Sequence, residues 1–358
     1  MMFQEEITKL KEKVSKLNIQ ASDIIVWGMG HISMLYDNAF KIAKVNVSAY
    51  TCNEKTTLGE LHNELPVIAP SEITSYQNPT VIIAVKNKTA LHEIEEQLGT
   101  MDAKIKKITI EEFFFGYYAD IIFGNVDILE DEKSKEIYKS VIEKRIKNDD
   151  KMWEEFEENQ YFALPMFRRD DVNEVFVDMG GFVGDTLERY LFTKFGTFRK
   201  AYVFEPDKKN YEALLIRIDR LKKEWNVPND AIVPVFAGVG RENSVYYFKE
   251  LEVGSYGSHF SIEKTEDERK IYSVDEFFLN EKVDFLKADI ESYELDMLIG
   301  AERVLRRDKP KLAISIYHNA VDMCCILKWL SGLNLGYKFY VRHHSVRDTE
   351  TVLYAYCE

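Results

Sequence analysis

Short apolar runs alternate with stretches of helical period along most of the chain. Glu5 to Asn18 repeats its apolar positions at helical spacing and predicts a short amphipathic helix. Ile24-Ile25-Val26-Trp27 predicts a strand that runs into Gly28-Met29-Gly30, with a helix following to about Ala43. Val45 to Tyr50, Leu65 to Ile68 and Thr80 to Val85 predict further strands. The last is a continuous apolar run, as expected of a strand covered on both faces. Residues 88–98 read as a helix and Ile105 to Ile110 as a closing strand. Strands alternating with helices predict a parallel, Rossmann-like α/β domain over residues 1–120.

Residues 121–170 read as a helical linker. Within it, 128–162 is dense in charge and aromatics and lacks glycine and proline. It predicts one or two connecting helices, with Glu154-Glu155 and Glu157-Glu158 on solvated faces. Leu164-Pro165 ends that pattern. A second α/β alternation fills 171–358. Strands are expected at 174–179, 201–205, 231–237, 283–288, 311–317, 336–342 and 352–357, with a small extra one at Ser244 to Lys249. Helices are expected at 185–194, 208–222, 294–305 and 320–331. Only the loop His343 to Thr349 separates the final two strands, a spacing that suits an antiparallel hairpin closing a mostly parallel sheet.

The chain has 358 residues and a formal charge of −14. Phosphate backbones are held by clustered Lys and Arg, so a nucleic-acid partner is not expected. The four cysteines, Cys52, Cys324, Cys325 and Cys357, form no C-x-x-C pair and read as reduced thiols. No apolar run approaches the ~18 residues of a membrane span, and no signal peptide is evident, so a cytoplasmic protein is expected. Residues 128–162 are a candidate interface for a homodimer.

The sharpest chemical signal is Glu174-Val-Phe-Val-Asp178-Met-Gly180-Gly181-Phe-Val-Gly184-Asp185-Thr186. A strand ends in an acid, and a glycine-rich turn then opens a helix. Gly180 and Gly181 let backbone approach a ligand, Gly184 permits close helix–sheet contact, and the helix start at Asp185 and Thr186 offers free N–H groups. Met179 stands where G-x-G-x-x-G has its first glycine. Asp178 would repel a pyrophosphate and attract the cationic aminoacyl end of S-adenosylmethionine. The next strand ends at Glu205, placed to accept both hydroxyls of an adenosine ribose.

A third segment, Val283-Asp-Phe-Leu-Lys-Ala-Asp289-Ile-Glu291, delivers two carboxylates to a strand end, where open α/β sheets bind ligands. Helix capping is the bland alternative for Asp289. His318 emerges from the strand Leu312 to Tyr317 at the same edge. His343 and His344 follow another strand and read either as cleft residues or as a polar loop.

Together these segments resemble the FkbM family of S-adenosylmethionine-dependent methyltransferases. The resemblance spans 172 to about 318 and rests on Val177 to Thr186, Phe204-Glu-Pro-Asp207, Tyr272 to Phe277, and Lys287-Ala-Asp-Ile-Glu291 continuing to Glu302. Ser292 and Tyr293 replace the Gly and Ala of the family's Asp-x-Glu-Gly-Ala-Glu signature. The resemblance implies a seven-stranded class I methyltransferase fold and an O-methyltransferase acting on a small-molecule or glycan hydroxyl. It implies that Asp178, Gly180 and Gly184 meet the aminoacyl part of the cofactor, Glu205 the ribose, and Ala237 and Gly238 the adenine. A hydroxyl is a weak nucleophile at pH 7, and Asp289, Glu291 and His318 are the candidate bases. Asp289, Glu291 and a histidine are also a donor set that suits a divalent metal, with no spacing that fixes its geometry.

Gly28-x-Gly30-x-x-Ser33 follows a strand and opens a helix, but Ser33 replaces the third glycine and the next strand ends without a well-placed acid. The N-terminal domain therefore reads as a nucleotide or nucleotide-sugar site or as a scaffold. Two rival functions stand beside methyl transfer: an NAD-dependent oxidoreductase using these glycines, and a non-catalytic nucleotide-binding or assembly module.

Overall fold

The computed structural model describes residues 2–54, 58–59, 61–149, 151, 153, 156–169, 171–249, 259–261 and 268–358. The Glu154-Glu155 pair lies outside the described residues. The chain divides into two compact units. The first comprises Met1–Ile128, Lys135–Met152 and Tyr317–Lys328. The second comprises Leu129–Ser134, Trp153–Ile316 and Trp329–Glu358. The stretch expected as a linker is thus shared between the two units. The segment after the strand ending at Ser315 belongs to the first.

The first unit holds strands β1 (Asp23–Trp27), β2 (Val47–Thr51), β3 (Leu61–His62), β4 (Leu65–Ile68), β5 (Pro79–Ile83) and β6 (Lys106–Thr109), in the order β3-β4-β2-β1-β5-β6. All pairs are parallel except the short β3–β4 turn. The helices are α1 (Met2–Ser15), α2 (His31–Ile42), α3 (Lys88–Gly99), α4 (Ile110–Tyr117), α5 (Ala119–Ile128) and α6 (Glu132–Ile146), the last beginning in the second unit. Ile7, Leu10 and Val14 form the stripe that α1 buries, which is why its polar positions face water. Thr109 and Glu112 close a capping box at the start of α4, so β6 passes into a helix without a loop. In the expected linker, α5 runs to Ile128 and α6 fills Glu132–Ile146, while the described residues 156–162 form no helix or strand.

The second unit is built on β7 (Val175–Met179), β8 (Lys200–Phe204), β9 (Ile232–Val235), β10 (Gly238–Gly240), β11 (Ser244–Lys249), β12 (His259–Ser261), β13 (Glu268–Ser273), β14 (Phe285–Ala288), β15 (Lys311–Ser315), β16 (Lys338–His343) and β17 (Thr351–Tyr356). Its helices are α7 (Asp185–Thr193), α8 (Lys208–Glu224), α9 (Val274–Phe277), α10 (Glu294–Ile299), α11 (Glu302–Asp308) and α12 (Ala320–Gly332), the last beginning in the first unit. Seven strands form one sheet in the order β16-β17-β15-β14-β7-β8-β9. β17 runs antiparallel to both of its neighbours and supplies the expected terminal hairpin. A second, four-stranded sheet, β10-β13-β11-β12, goes beyond the one extra strand expected.

Two expected elements are split. The strand at 231–237 ends at Val235 and restarts as β10 in the smaller sheet. The helix at 294–305 breaks at Gly300, where a Cβ would lie 2.3 Å from the Gly240 carbonyl oxygen. The helix must open there to let β10 pass.

Under the seven-stranded sheet lies an aromatic core. Phe176 stacks on Tyr190 at 4.2 Å, and Phe167 meets Phe285 at 5.3 Å and Tyr354 at 5.1 Å. Burying each such ring stabilises the fold by about 2–3 kcal/mol. Phe162 and Phe167 come from the segment before β7 and are fully buried. They anchor residues 161–167 on the sheet.

Candidate active site

Met179, the last residue of β7, leads into the turn. Gly180 has φ 75, and a Cβ there would sit 1.9 Å from the Asp289 carbonyl oxygen. No other residue type fits between the two strand ends. Gly180 and Gly181 donate their N–H groups to the Phe204 carbonyl at 3.1 and 2.8 Å, which ties the turn to the end of β8. Gly184 has φ 85 and caps the start of α7, and a Cβ there would meet Leu214 of α8 at 2.8 Å. Its contact is therefore helix to helix, not the helix-to-sheet contact expected.

Glu205 follows β8. Its two oxygens accept from Phe182 N–H and Asp207 N–H, each at 2.8 Å. Burial pushes the Glu205 carboxyl up to about 7, although these N–H donors pull the other way. Phe182 takes φ 46 and is 54% exposed. Its unusual backbone aims the N–H at Glu205.

Asp178 departs from expectation. It is fully buried and faces Lys287 of β14, whose Nζ lies 2.9 Å from Oδ1. The ammonium is directed at the Gly180 carbonyl at 2.8 Å, so the pair is a charge contact more than an aligned hydrogen bond. Burial still raises the Asp178 carboxyl to about 6, with Lys287 opposing. Asp178 therefore neutralises an internal cation and is not presented to a ligand.

A cavity of about 450 Å³ opens beside the turn, within the range of small-molecule sites. Gly180, Asp185, Thr186, Glu205, Ala237, Gly238, Asp289 and Glu291 all line it. Gly181, Gly184 and Asp178 support the wall without lining it. His318 is buried in the first unit, with its ring 4.2 Å from that of Tyr317. His343 bonds to Thr351 at 2.9 Å and to the Arg347 carbonyl at 2.7 Å, so it holds the hairpin together.

The cavity also contains residues that spacing did not indicate: Gln160, Tyr161, Phe182, Lys287, Tyr293 and Glu350. Tyr161 Oη donates to Asp289 Oδ2 at 2.6 Å. Lys287 lies 5.0 Å above the Tyr161 ring. Lys287 stood inside the motif Lys287-Ala-Asp289 and was within reach of the sequence. Tyr161 and Glu350 carried no local signal. Glu291 and Ser292 take φ 55 and 77, and Ser292 occupies the position where the resembling family has glycine.

In the first unit, Gly28 has φ 136 and approaches the Ala84 carbonyl, where a Cβ would come within 2.8 Å. β2 ends at Thr51, whose hydroxyl donates to the Ile68 carbonyl at 2.9 Å. The residue where an oxidoreductase would place its ribose acid is thus a satisfied threonine. Among the described residues, no helix is long and apolar enough to cross a membrane.

Sheet order, antiparallel seventh strand and glycine turn define a class I methyltransferase fold. Residues 178–339, a little under half of the chain, match the methyltransferase FkbM domain, which supports an FkbM-family methyltransferase. That family uses S-adenosylmethionine as its methyl donor. Residues 20–109 match the C2185-like, N-terminal family. Among solved structures, the chain is similar to methyltransferase FkbM from Methylobacillus flagellatus KT. That likeness has 20% identity and a TM-score of 0.54, covering 97% of this chain and 93% of the other. It is also similar to an rRNA methylase from Streptococcus thermophilus, with 14% identity and a TM-score of 0.34, over 52% of this chain and 89% of that one. No curated protein sequence matches the chain significantly.

Proposed function

We propose that the protein is an S-adenosylmethionine-dependent O-methyltransferase that acts on a hydroxyl of a sugar or glycan precursor. The observation that carries the cofactor part is Glu205: a carboxylate at the end of the second strand, pinned by two N–H donors and bordering the cavity. Asn210 also donates to this carboxylate, and a remaining lone pair is available for a ribose hydroxyl. Ala237 and Gly238 leave room for a flat base. Asp185 and Thr186 open α7, where N–H groups receive a carboxylate. With Asp178 consumed by Lys287, the cofactor's cationic end is received by Asp289.

The cofactor supplies an activated methyl group. The chain aligns the acceptor oxygen with it, and alignment accounts for much of the acceleration. Glu291 borders the cavity and serves as the base for the hydroxyl proton. Gln160, Tyr293 and Glu350 add polar groups suited to a polyol.

The test is calorimetric titration with S-adenosylhomocysteine, with NAD in parallel, followed by an assay of S-adenosylhomocysteine release with neutral sugars. Binding of S-adenosylhomocysteine that is lost in Glu205→Ala supports the reading. Binding of NAD in its place overturns it.

A further inference from the structure

Tyr161 lies outside both matched segments, 20–109 and 178–339, yet its hydroxyl reaches Asp289. Its backbone sits at φ 67, a conformation costing on the order of 1–3 kcal/mol for a non-glycine residue. Such a conformation persists only where the surroundings impose it.

The surroundings form one directed chain. Burial lowers the His344 imidazole to about 4, so it is neutral near pH 7. His344 Nδ1 lies 2.7 Å from the Glu157 carbonyl, which can only accept. The proton is therefore on Nδ1, and Nε2 must accept. Tyr354 Oη donates to that Nε2 at 2.9 Å. Its oxygen in turn accepts the Tyr161 N–H at 2.9 Å. On the other side, Gln160 Nε2 donates to Tyr161 Oη at 3.0 Å, and the Tyr161 proton goes to Asp289. Gln160 also donates to Glu350. Phe162, buried next in sequence, fixes the segment to the core.

We infer that Tyr161 is a positioning residue for the candidate active site: it holds the Asp289 carboxylate in place for the cofactor's cationic end. This rests on the cofactor reading above. Strain at Tyr161 is the local cost of bringing a hydroxyl from a preceding segment to the end of β14.

A double-mutant cycle on the full chain tests it, with S-adenosylhomocysteine affinity as the readout. Tyr161→Phe removes one oxygen, and thermal melting checks that the fold persists. Tyr161→Phe is expected to weaken affinity about fivefold in the parent and to have no further effect in Asp289→Asn. Effects that multiply, or an unchanged affinity in Tyr161→Phe alone, overturn the role of Tyr161 while leaving the cofactor reading in place. Absence of S-adenosylhomocysteine binding by the unmodified protein overturns the cofactor reading itself.

Discussion

Lys287 and Asp178 face each other at 2.9 Å from adjacent strands, with both side chains shut off from solvent. A buried pair of this kind adds little net stability, but breaking it leaves one charge without compensation. Lys287→Met is expected to destabilise the fold by about 3–5 kcal/mol in urea unfolding. Combining it with Asp178→Asn should recover a large part of that loss. A single variant within about 1 kcal/mol of the parent would show that water reaches Asp178.

In the proposed cofactor site, Glu205 would link cofactor affinity to pH. Burial holds its carboxyl at about 7. In that site, ribose hydroxyls would donate to the ionised form and favour it. S-adenosylhomocysteine affinity should therefore rise by as much as roughly tenfold from pH 6 to 8, with proton release seen by calorimetry in two buffers. Glu205→Gln should flatten the profile; a slope that survives would point to another group. Folding has the opposite sign. The carboxyl is more protonated folded than unfolded between its ordinary 4.5 and about 7, so its contribution to stability falls as pH rises through that window.

His344 acts in the reverse sense. Its imidazole is lowered from 6.5 to about 4 by burial. The unfolded chain binds the extra proton between those values, so the contribution of His344 to stability is lost as pH falls from 6.5 towards 4. Comparing the parent with His344→Gln should show a relative loss on the order of 2 kcal/mol across that window. Equal pH slopes in chemical unfolding would rule out a neutral, buried His344.

Ser292 occupies a left-handed position, φ 77, that suits glycine. Ser292→Gly relieves that strain, partly offset by a more flexible unfolded chain. A gain of about 0.5–1 kcal/mol is expected in thermal unfolding. A loss would show that the serine hydroxyl outweighs the strain.

Elements whose physics is local were legible in the sequence. All seven strands of the larger sheet follow from apolar runs, and the terminal hairpin follows from the short loop 343–349. The turn at Gly180 and the acid Glu205 were legible because a strand, a tight turn and a strand end each leave a local pattern. Long-range conditions left none. Asp178 looked like a ligand group because its partner, Lys287, is brought beside it only by strand pairing. Gly300 breaks a helical pattern through the approach of Gly240, sixty positions earlier by numbering. Tyr161 joins the cavity through a turn whose shape depends on Tyr354 and His344.

The division of the chain has a consequence for its modularity. The path passes from one unit to the other after Ile128, Ser134, Met152, Ile316 and Lys328. Residues 129–134 complete the larger sheet's edge, where Glu130 N–H donates to the Phe339 carbonyl and Asp131 pairs with Arg342 at 2.6 Å. No single cut therefore releases either unit whole. A fragment starting at Trp153 would lose that edge and would carry Tyr317–Lys328 without the unit they belong to. In gene fusion or recombination, a single junction would therefore not carry either unit over intact.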